Sequence, residues 1–420
     1  MSGLRICMLT TFYPPFNFGG DGIAVQRLSH ALVAAGHQVT VIHDTNAFNA
    51  LQPAAPLHLP LEDRDGDVRI VRLHSRLGAL APLLVQQCGA PVSHRRQLQR
   101  LLAPGEWDVV NFHNVSLLGA PALLDYPRDA VTLYMAHEHW LVCPTHVLWR
   151  HRRERCDERQ CLRCVLRHHR PPQLWRHTGA LQRAVARLDA VIAMSEFSRQ
   201  KHHAFGLARE MDVLPPFLPR EAAPVAAPGG SPHPRPYFFF AGRLERMKGL
   251  DDVLEAFRGF DAADLVIAGD GSQRERWQAM AAGMDHVHFL GTIPSAAVER
   301  WQQYALAALV PSVGYETFGM VIIEAFRVGT PVIARRIGPF PEIVATAGAG
   351  ELFDGATDLR VALQRLATDT AYRTSLSTAA MASRERWSAA VVIPKYLEIV
   401  ARAGRARGHQ RVTDLLRQVA

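Results

Sequence analysis

Short runs that are apolar at nearly every position alternate along this chain with longer segments in which apolar residues recur at helical spacing. Leu4 to Thr10 is the first such run. The loop TFYPPFNFGGDG follows, then a helix-periodic segment from Ile23 to Ala35 that Gly36 ends, and Val39 to His43 is the next run. That order predicts strand, loop, helix and strand, joined by a right-handed parallel crossover. Further runs, VVNF, TLYMA and AVIAM, end in polar residues: His113 and Asn114; His137, Glu138 and His139; Ser195 and Glu196. In a parallel sheet such ends converge on one crevice. A single histidine there is more often structural, but repetition at several strand ends points to function.

From Arg220 to Pro236 the chain reads REAAPVAAPGGSPHPRP, rich in proline, alanine and glycine and without periodicity, as a linker would be. Alternation then restarts with YFFFAGRLERMKGLDDVLEAF, DLVIAGDGS, VHFLGTIP and AALVPSVGYETFGMVIIEAF, which predicts a second parallel sheet with its own helices. In the last of these, Ala307 to Pro311 reads as a strand, Val313 to Thr317 as a turn, and Gly319 to Val328 as a helix stopped by Gly329 and Pro331.

Length and composition agree with this division, since 420 residues with 48% hydrophobic content exceed one ordinary core. No apolar run reaches about twenty residues, and Met1 to Thr11 is too short for a signal peptide, so a cytoplasmic protein is expected, at the inner face of a membrane if it meets one. The net charge of +8 is carried almost wholly by arginine, with lysine only at 201, 248 and 395. Basic stretches at His94 to Arg100 and Arg150 to Arg176 suit phosphates, anionic lipid or nucleic acid, and equally a solvated face.

Overlapping the second stretch, CPTHVLWRHRRERCDERQCLRC carries Cys143, Cys156, Cys161 and Cys164, spaced C-x12-C-x4-C-x2-C. In a chain without an export signal they fit either a structural zinc buffered by the nearby arginines or plain reduced thiols. Asp63, Asp65 and Asp67 alternate as metal-binding carboxylates can, but sit in a polar segment with Gly66 that reads as a turn, and no metal is assigned there.

The remaining candidates follow strands. Gly19, Gly20 and Gly22 allow close backbone approach after the first one, though not in the G-x-G-x-x-G spacing, and a flexible turn with Asp21 as helix cap explains them as well. Arg243 and Lys248 follow the strand Tyr237 to Ala241, and two cations there can hold a diphosphate; a basic turn before a helix near Leu250 is the plainer account. Gly269, Asp270 and Gly271 end the next strand. The backbone N–H groups of Phe318, Gly319 and Met320 open a helix and suit a phosphate. Glu316 precedes that helix and Glu324 lies one turn inside it, among apolar residues, where it must face solvent, a cation such as Arg327, or the hydroxyls of a ligand.

Taken together, GRLERMKG, AGDGS and the E-x7-E of YETFGMVIIEAF, downstream of GGDGIAVQRL, resemble the family 4 retaining glycosyltransferases. The resemblance covers nearly the whole chain and implies the GT-B fold. That fold has two Rossmann-like doubly wound α/β domains facing a central cleft, with C-terminal helices, about Trp387 to Ala401, crossing back to the first domain. The implied boundaries are 1–222 for an acceptor-binding domain containing the cysteines, 223–236 for the linker, 237–384 for a nucleotide-sugar domain and 385–420 for the returning helices.

The same resemblance puts Arg243 and Lys248 at the donor diphosphate, Glu324 on the ribose and Glu316 near the sugar hydroxyls. It also puts Phe318 to Met320 along sugar and phosphate, Gly19 and Gly20 under the diphosphate, and His137 near the reacting sugar. It implies transfer with retention, without a catalytic metal, from a UDP- or GDP-sugar to a lipid-linked, saccharide or small-molecule acceptor, with peripheral membrane contact and no nucleic acid. The cations suit a leaving diphosphate, and ionised carboxylates suit hydroxyl recognition because they only accept hydrogen bonds. Glu138 beside His137 leaves a covalent route formally open. Where the family has a glycine pair before Pro-Glu, this chain has Gly338, Pro339, Phe340, Pro341 and Glu342. A sugar-nucleotide epimerase, a phosphorylase and a non-catalytic binding protein on the same fold are the alternatives.

Overall fold

Most of the apolar runs become strands buried on both faces, as parallel strands covered by helices on either side must be, while the edge run Val287–Gly291 is half-buried. A computed structural model describes residues 3–53, 55–218 and 230–417. Of the predicted linker, 223–236, residues 223–229 lie outside the described residues. The chain divides into one unit of Met1–Arg152, Glu158–Pro219 and Ala389–Ala420 and a second of Arg153–Asp157 and Arg220–Ser388.

In the first unit, β1 (Arg5–Leu9), β2 (Gln38–Asp44), β3 (Glu62–Asp65), β4 (Val68–Leu73), β5 (Val109–Phe112), β6 (Val131–Ala136), β7 (Ala190–Ala193) and β8 (Asp212–Val213) form one sheet. Their order is β8-β7-β6-β5-β1-β2-β4-β3, parallel throughout except for β3, which runs against β4. In the second unit, β9 (Tyr237–Ala241), β10 (Asp264–Ala268), β11 (Val287–Gly291), β12 (Ala308–Val310), β13 (Val332–Arg335) and β14 (Gly350–Phe353) are ordered β11-β10-β9-β12-β13-β14, all parallel. Both sheets reverse direction beside their first strand. The switch points, where such folds bind ligands, are β1/β5 and β9/β12.

Burial follows the strand alternation. Phe238 and Phe240 of β9 enter one core with Leu254, Phe257 and Trp277, while Tyr237 and Phe239 face the other side with Val266 and Trp301. Residues 389–420 complete the first unit. The helix Ala389–Arg407 buries Tyr396 and Val400, Asn111 Nδ2 donates to the Tyr396 hydroxyl at 3.2 Å, and Arg411 bonds the buried Asp108, which also receives Arg5. Among the described residues no helix is long and apolar enough to cross a membrane.

Several local expectations are corrected. The first helix is Gly20–Ala34, so Gly20 and Asp21 lie in its first turn; Gly19 is the cap residue, and Asp21 makes no side-chain cap but receives Asn114 Nδ2 at 3.3 Å. Asp63 and Asp65 belong to the edge strand β3 and not to a turn. Asp63 pairs with Arg72, and Asp65 accepts from Tyr13 and Gln26, which separates their carboxylates. Charged residues fit there because an edge strand needs protection from pairing. The returning helix starts at Ala389 and extends to Arg407, later at both ends than expected. The apolar helix after Glu316 is Met320–Arg327.

Candidate functional site

In the second unit, the loops after β9, β10 and β12 are tied together by backbone hydrogen bonds. Val313 N–H and Gly314 N–H both reach the Met247 carbonyl, at 2.8 and 3.1 Å, and Leu244 N–H reaches the Asp270 carbonyl at 2.8 Å. Gly249 follows Lys248 at φ 67°, where a Cβ would stand 2.3 Å from the Pro311 carbonyl oxygen, so only glycine lets the lysine loop lie against the end of β12. Buried Arg335, at the end of β13, donates to that same carbonyl at 2.9 Å and pairs with Asp252.

This stitching brings residues 68 positions apart into one group: Lys248 Nζ lies 2.7 Å from Glu316 Oε1, which also accepts from Ser312 Oγ at 2.7 Å. Burial pushes the Glu316 carboxyl up, but the Lys248 ammonium, the hydrogen bonds from Lys248 and Ser312, and the charge of Arg243 outweigh it and hold Glu316 below the usual carboxylate range. The result is an ionised carboxylate and two cations at the mouth of the β9/β12 switch point.

Gly319, at φ 118°, caps the helix Met320–Arg327, which brings the Phe318 to Met320 amides to the end of β12. Glu324 is half-buried on that helix. Its neighbour Arg327 is engaged elsewhere, at 2.7 Å from Glu299. Gly269 and Gly271 flank Asp270 as predicted, but the Asp270 carboxylate is taken by Arg274 at 2.8 Å and by Gly271 N–H at 2.7 Å, which makes it part of the loop's framework. The departure at Gly338 to Glu342 has a local form. Pro339 and Pro341 open the helix Phe340–Ala347, and the buried Phe340 ring lies under Gly319, where a Cβ would stand 2.7 Å from it. The replacement therefore packs directly beneath the amides at the neighbouring helix start.

In the first unit, His113 after β5 and His137 after β6 are brought together, His113 Nδ1 lying 2.8 Å from His137 Nε2. Burial depresses both rings, His113 well below its ordinary value and His137 to about 4, so both are neutral near pH 7. The other His113 nitrogen, Nε2, stands 3.4 Å from Met8 Sδ. A thioether has no hydrogen to give, so His113 donates from Nε2, its Nδ1 accepts, and His137 donates from Nε2. His137 also lines an apolar pocket with Leu28, Met135, Met194, Leu214 and Phe217. Gly19 and Gly20 are exposed at the start of the first helix.

Other strand-end groups are engaged in local contacts. Ser195 caps the helix Glu196–Ala204, Glu196 pairs with Arg199, and Glu138 holds His146 at 2.7 Å. His139 is buried against His202.

None of the four clustered cysteines is in a disulfide, and burial pushes Cys161 and Cys164 up, with repulsion from Cys143 adding to it. Among the described residues they form no group of three ligand atoms within 4.8 Å of one another. Ser312, Arg335, Met8 and His113's relation to His137 were not anticipated. Ser312, directly after a strand run, was the one with a readable signal.

Two family descriptions match the chain: Glycosyltransferase Family 4 over residues 18–222 and Glycosyl transferases group 1 over residues 225–382. The D-inositol 3-phosphate glycosyltransferase of Xylanimonas cellulosilytica is 25% identical over 96% of this chain and 98% of its own length. The phosphatidyl-myo-inositol mannosyltransferase of Mycobacterium leprae is 34% identical over 27% of this chain and 32% of its own, so the chain spans about a third of that relative and nearly all of the former. Among solved structures, sucrose-phosphate synthase from Thermosynechococcus elongatus superposes with a TM-score of 0.70 at 20% identity, over 98% of this chain and 100% of that one. With both family matches falling on doubly wound units, the chain belongs to the family 4, or group 1, glycosyltransferases, retaining sugar-transfer enzymes of the GT-B fold.

Proposed function

We propose that the second unit binds a nucleotide-diphosphate sugar at the β9/β12 switch point and that the first unit supplies the acceptor, a lipid-linked saccharide, a sugar or a small molecule. The observation that carries this reading is the Lys248–Glu316–Ser312 group, with Arg243 acting on it, at the carboxyl end of β12. As the glycosidic bond breaks, negative charge grows on the diphosphate. Arg243, Lys248 and the Phe318 to Met320 amides meet it with fixed positive charge, so the leaving group needs no metal. Glu316, kept ionised by Lys248, accepts from the sugar hydroxyls, and Glu324 accepts from the ribose. Gly19 and Gly20 let backbone approach the diphosphate, and His137 offers its neutral ring to the transferred sugar.

Calorimetry with UDP, GDP and ADP, then with their sugars, tests this. One nucleotide binding tightly, and its sugar being turned over only with an acceptor, is expected. Turnover without an acceptor points to an epimerase, and a requirement for orthophosphate to a phosphorylase. No nucleotide binding, together with salt-steep binding to nucleic acid, refutes the proposal. For the cysteines, zinc remains a proposal decided by metal analysis: an equivalent of zinc lost in a Cys161→Ser, Cys164→Ser variant supports it, and well under one equivalent in protein as purified, with four titratable thiols in the cluster, refutes it.

A further inference from the structure

The amino-terminal ends of β9, β10 and β11, opposite the ends that carry the diphosphate loops, hold a second cluster. His233 stands just ahead of β9, Asp264 is the first residue of β10, and His288 is the second of β11. His233 Nε2 and His288 Nε2 both lie on one carboxylate oxygen, Asp264 Oδ2, at 2.7 and 2.9 Å, and the three atoms fall within 4.8 Å of one another.

We infer that His233, Asp264 and His288 form a binding site for a divalent transition-metal ion, zinc foremost, on the face of the second unit away from the sugar-nucleotide loops. Three features carry this. The donor set is two imidazoles and a carboxylate, which suits zinc and leaves a fourth position for water. The three atoms already converge: a tetrahedral ion with bonds of about 2.0–2.1 Å needs its ligand atoms about half an ångström further apart than Oδ2 now stands from each ring.

The surroundings also hold the ligands in place. Asp264 is only 5% exposed, and its N–H is fixed to the Pro236 carbonyl at 2.9 Å. The His233 ring packs edge-on to Tyr237 and against Trp301, and Arg235 Nε supports the outer oxygen, Oδ1, at 3.3 Å. Such outer contacts orient metal ligands. His288, about a third exposed, opens the cluster to solvent.

On binding, the hydrogen that each Nε2 directs at Oδ2 leaves to water, each ring carries its N–H on Nδ1, and the two Nε2 lone pairs and Oδ2 bond the ion. The bound ion would fasten residues 233–236 to β10 and β11, the two strands beyond β9.

The test uses full-length, tag-free protein stripped with a chelator, titrated with Zn2+ against a chromophoric competitor and followed by thermal melting, beside His233→Gln, His288→Gln protein. Glutamine keeps an N–H donor for Asp264 but removes both imidazole ligands. The parent should bind one more equivalent than the double variant and melt roughly 5–10 °C higher at zinc about a hundredfold above its dissociation constant, a shift the variant lacks. Titration of the parent with Co2+ separates this site from the cysteines, because thiolate ligation produces intense near-ultraviolet charge transfer while nitrogen and oxygen ligation produces only weak visible bands. Equal stoichiometry and equal melting in parent and variant overturn the proposal. If the variant does not fold, a parent cobalt spectrum with thiolate charge transfer alone, or no bound cobalt, overturns it.

Discussion

Replacing Lys248 by alanine should weaken binding of the nucleoside diphosphate itself, and a second replacement should restore part of it. The ammonium and the Glu316 carboxylate stand 2.7 Å apart, with side chains 27% and 21% exposed. At an effective dielectric of about 20, unit charges at that separation attract by roughly 6 kcal/mol. Lost hydration and side-chain entropy take back most of this, which leaves about 1–3 kcal/mol for a pair between the surface and buried limits.

In Lys248→Ala protein, Glu316 keeps Ser312 but stands as an uncompensated negative charge where a diphosphate must enter. The dissociation constant for UDP or GDP should therefore rise by about 10–100-fold, from a lost attraction and an exposed repulsion together. Glu316→Gln added to Lys248→Ala removes the repulsion and should recover several-fold. Glu316→Gln alone should leave nucleotide affinity within a few-fold. Because lost cation stabilisation is felt most as the leaving group charges, kcat for transfer should fall by about 10²–10³ in Lys248→Ala, while Lys248→Arg retains part of it. Calorimetry with each nucleotide measures the cycle and initial-rate kinetics the turnover. Additive effects of the two substitutions on affinity, or a folded Lys248→Ala enzyme with kcat within a few-fold of the parent, would refute the coupling.

Other consequences can be measured separately. Gly249→Ala forces a Cβ to within 2.3 Å of the Pro311 carbonyl oxygen at a positive φ, and should cost about 2–4 kcal/mol in denaturant unfolding, with slower turnover as Lys248 is displaced. Asp108 is buried, which pushes its carboxyl up, but Arg5 and Arg411 pull it below the unfolded value. Its stabilisation is therefore present above about pH 4 and lost as pH falls through the depressed native value. Because both arginines are more than a third exposed, Asp108→Asn should cost only about 1–3 kcal/mol at pH 7, a difference that narrows in acid. His137, held near 4, should contribute no ionisation to the kcat profile between pH 5.5 and 8, and nitrogen NMR should find protons on Nε2 of both His113 and His137. Met8→Leu should disturb that tautomer without unfolding the protein.

The elements that were legible in the chain are those whose environment writes a simple pattern. Strands such as Tyr237–Ala241 sit between helices on both faces, so every position is apolar and the run stands out. Glycine hides boundaries: the first helix begins at Gly20, three residues before its periodicity becomes visible, because tertiary packing of Gly22 overrides glycine's poor helical propensity. Glu62–Asp65 read as a turn because an edge strand is charged, which is also how turns look.

The site divides along the same line. Lys248 and Glu316 were each recognisable from local setting, as the exceptional lysine and as a carboxylate ahead of an apolar helix. Their bond was not, because it depends on β9 and β12 being neighbours and on Met247 receiving the Val313 and Gly314 amides, neither of which leaves a local mark. His233, Asp264 and His288 are the extreme case. Each alone is an ordinary polar residue near a strand start, and only the β9-β10-β11 adjacency makes one oxygen the meeting point of two rings. Chemistry held within one loop can be read from a chain of this class, whereas chemistry shared between strands must be sought where the sheet order sets their ends side by side.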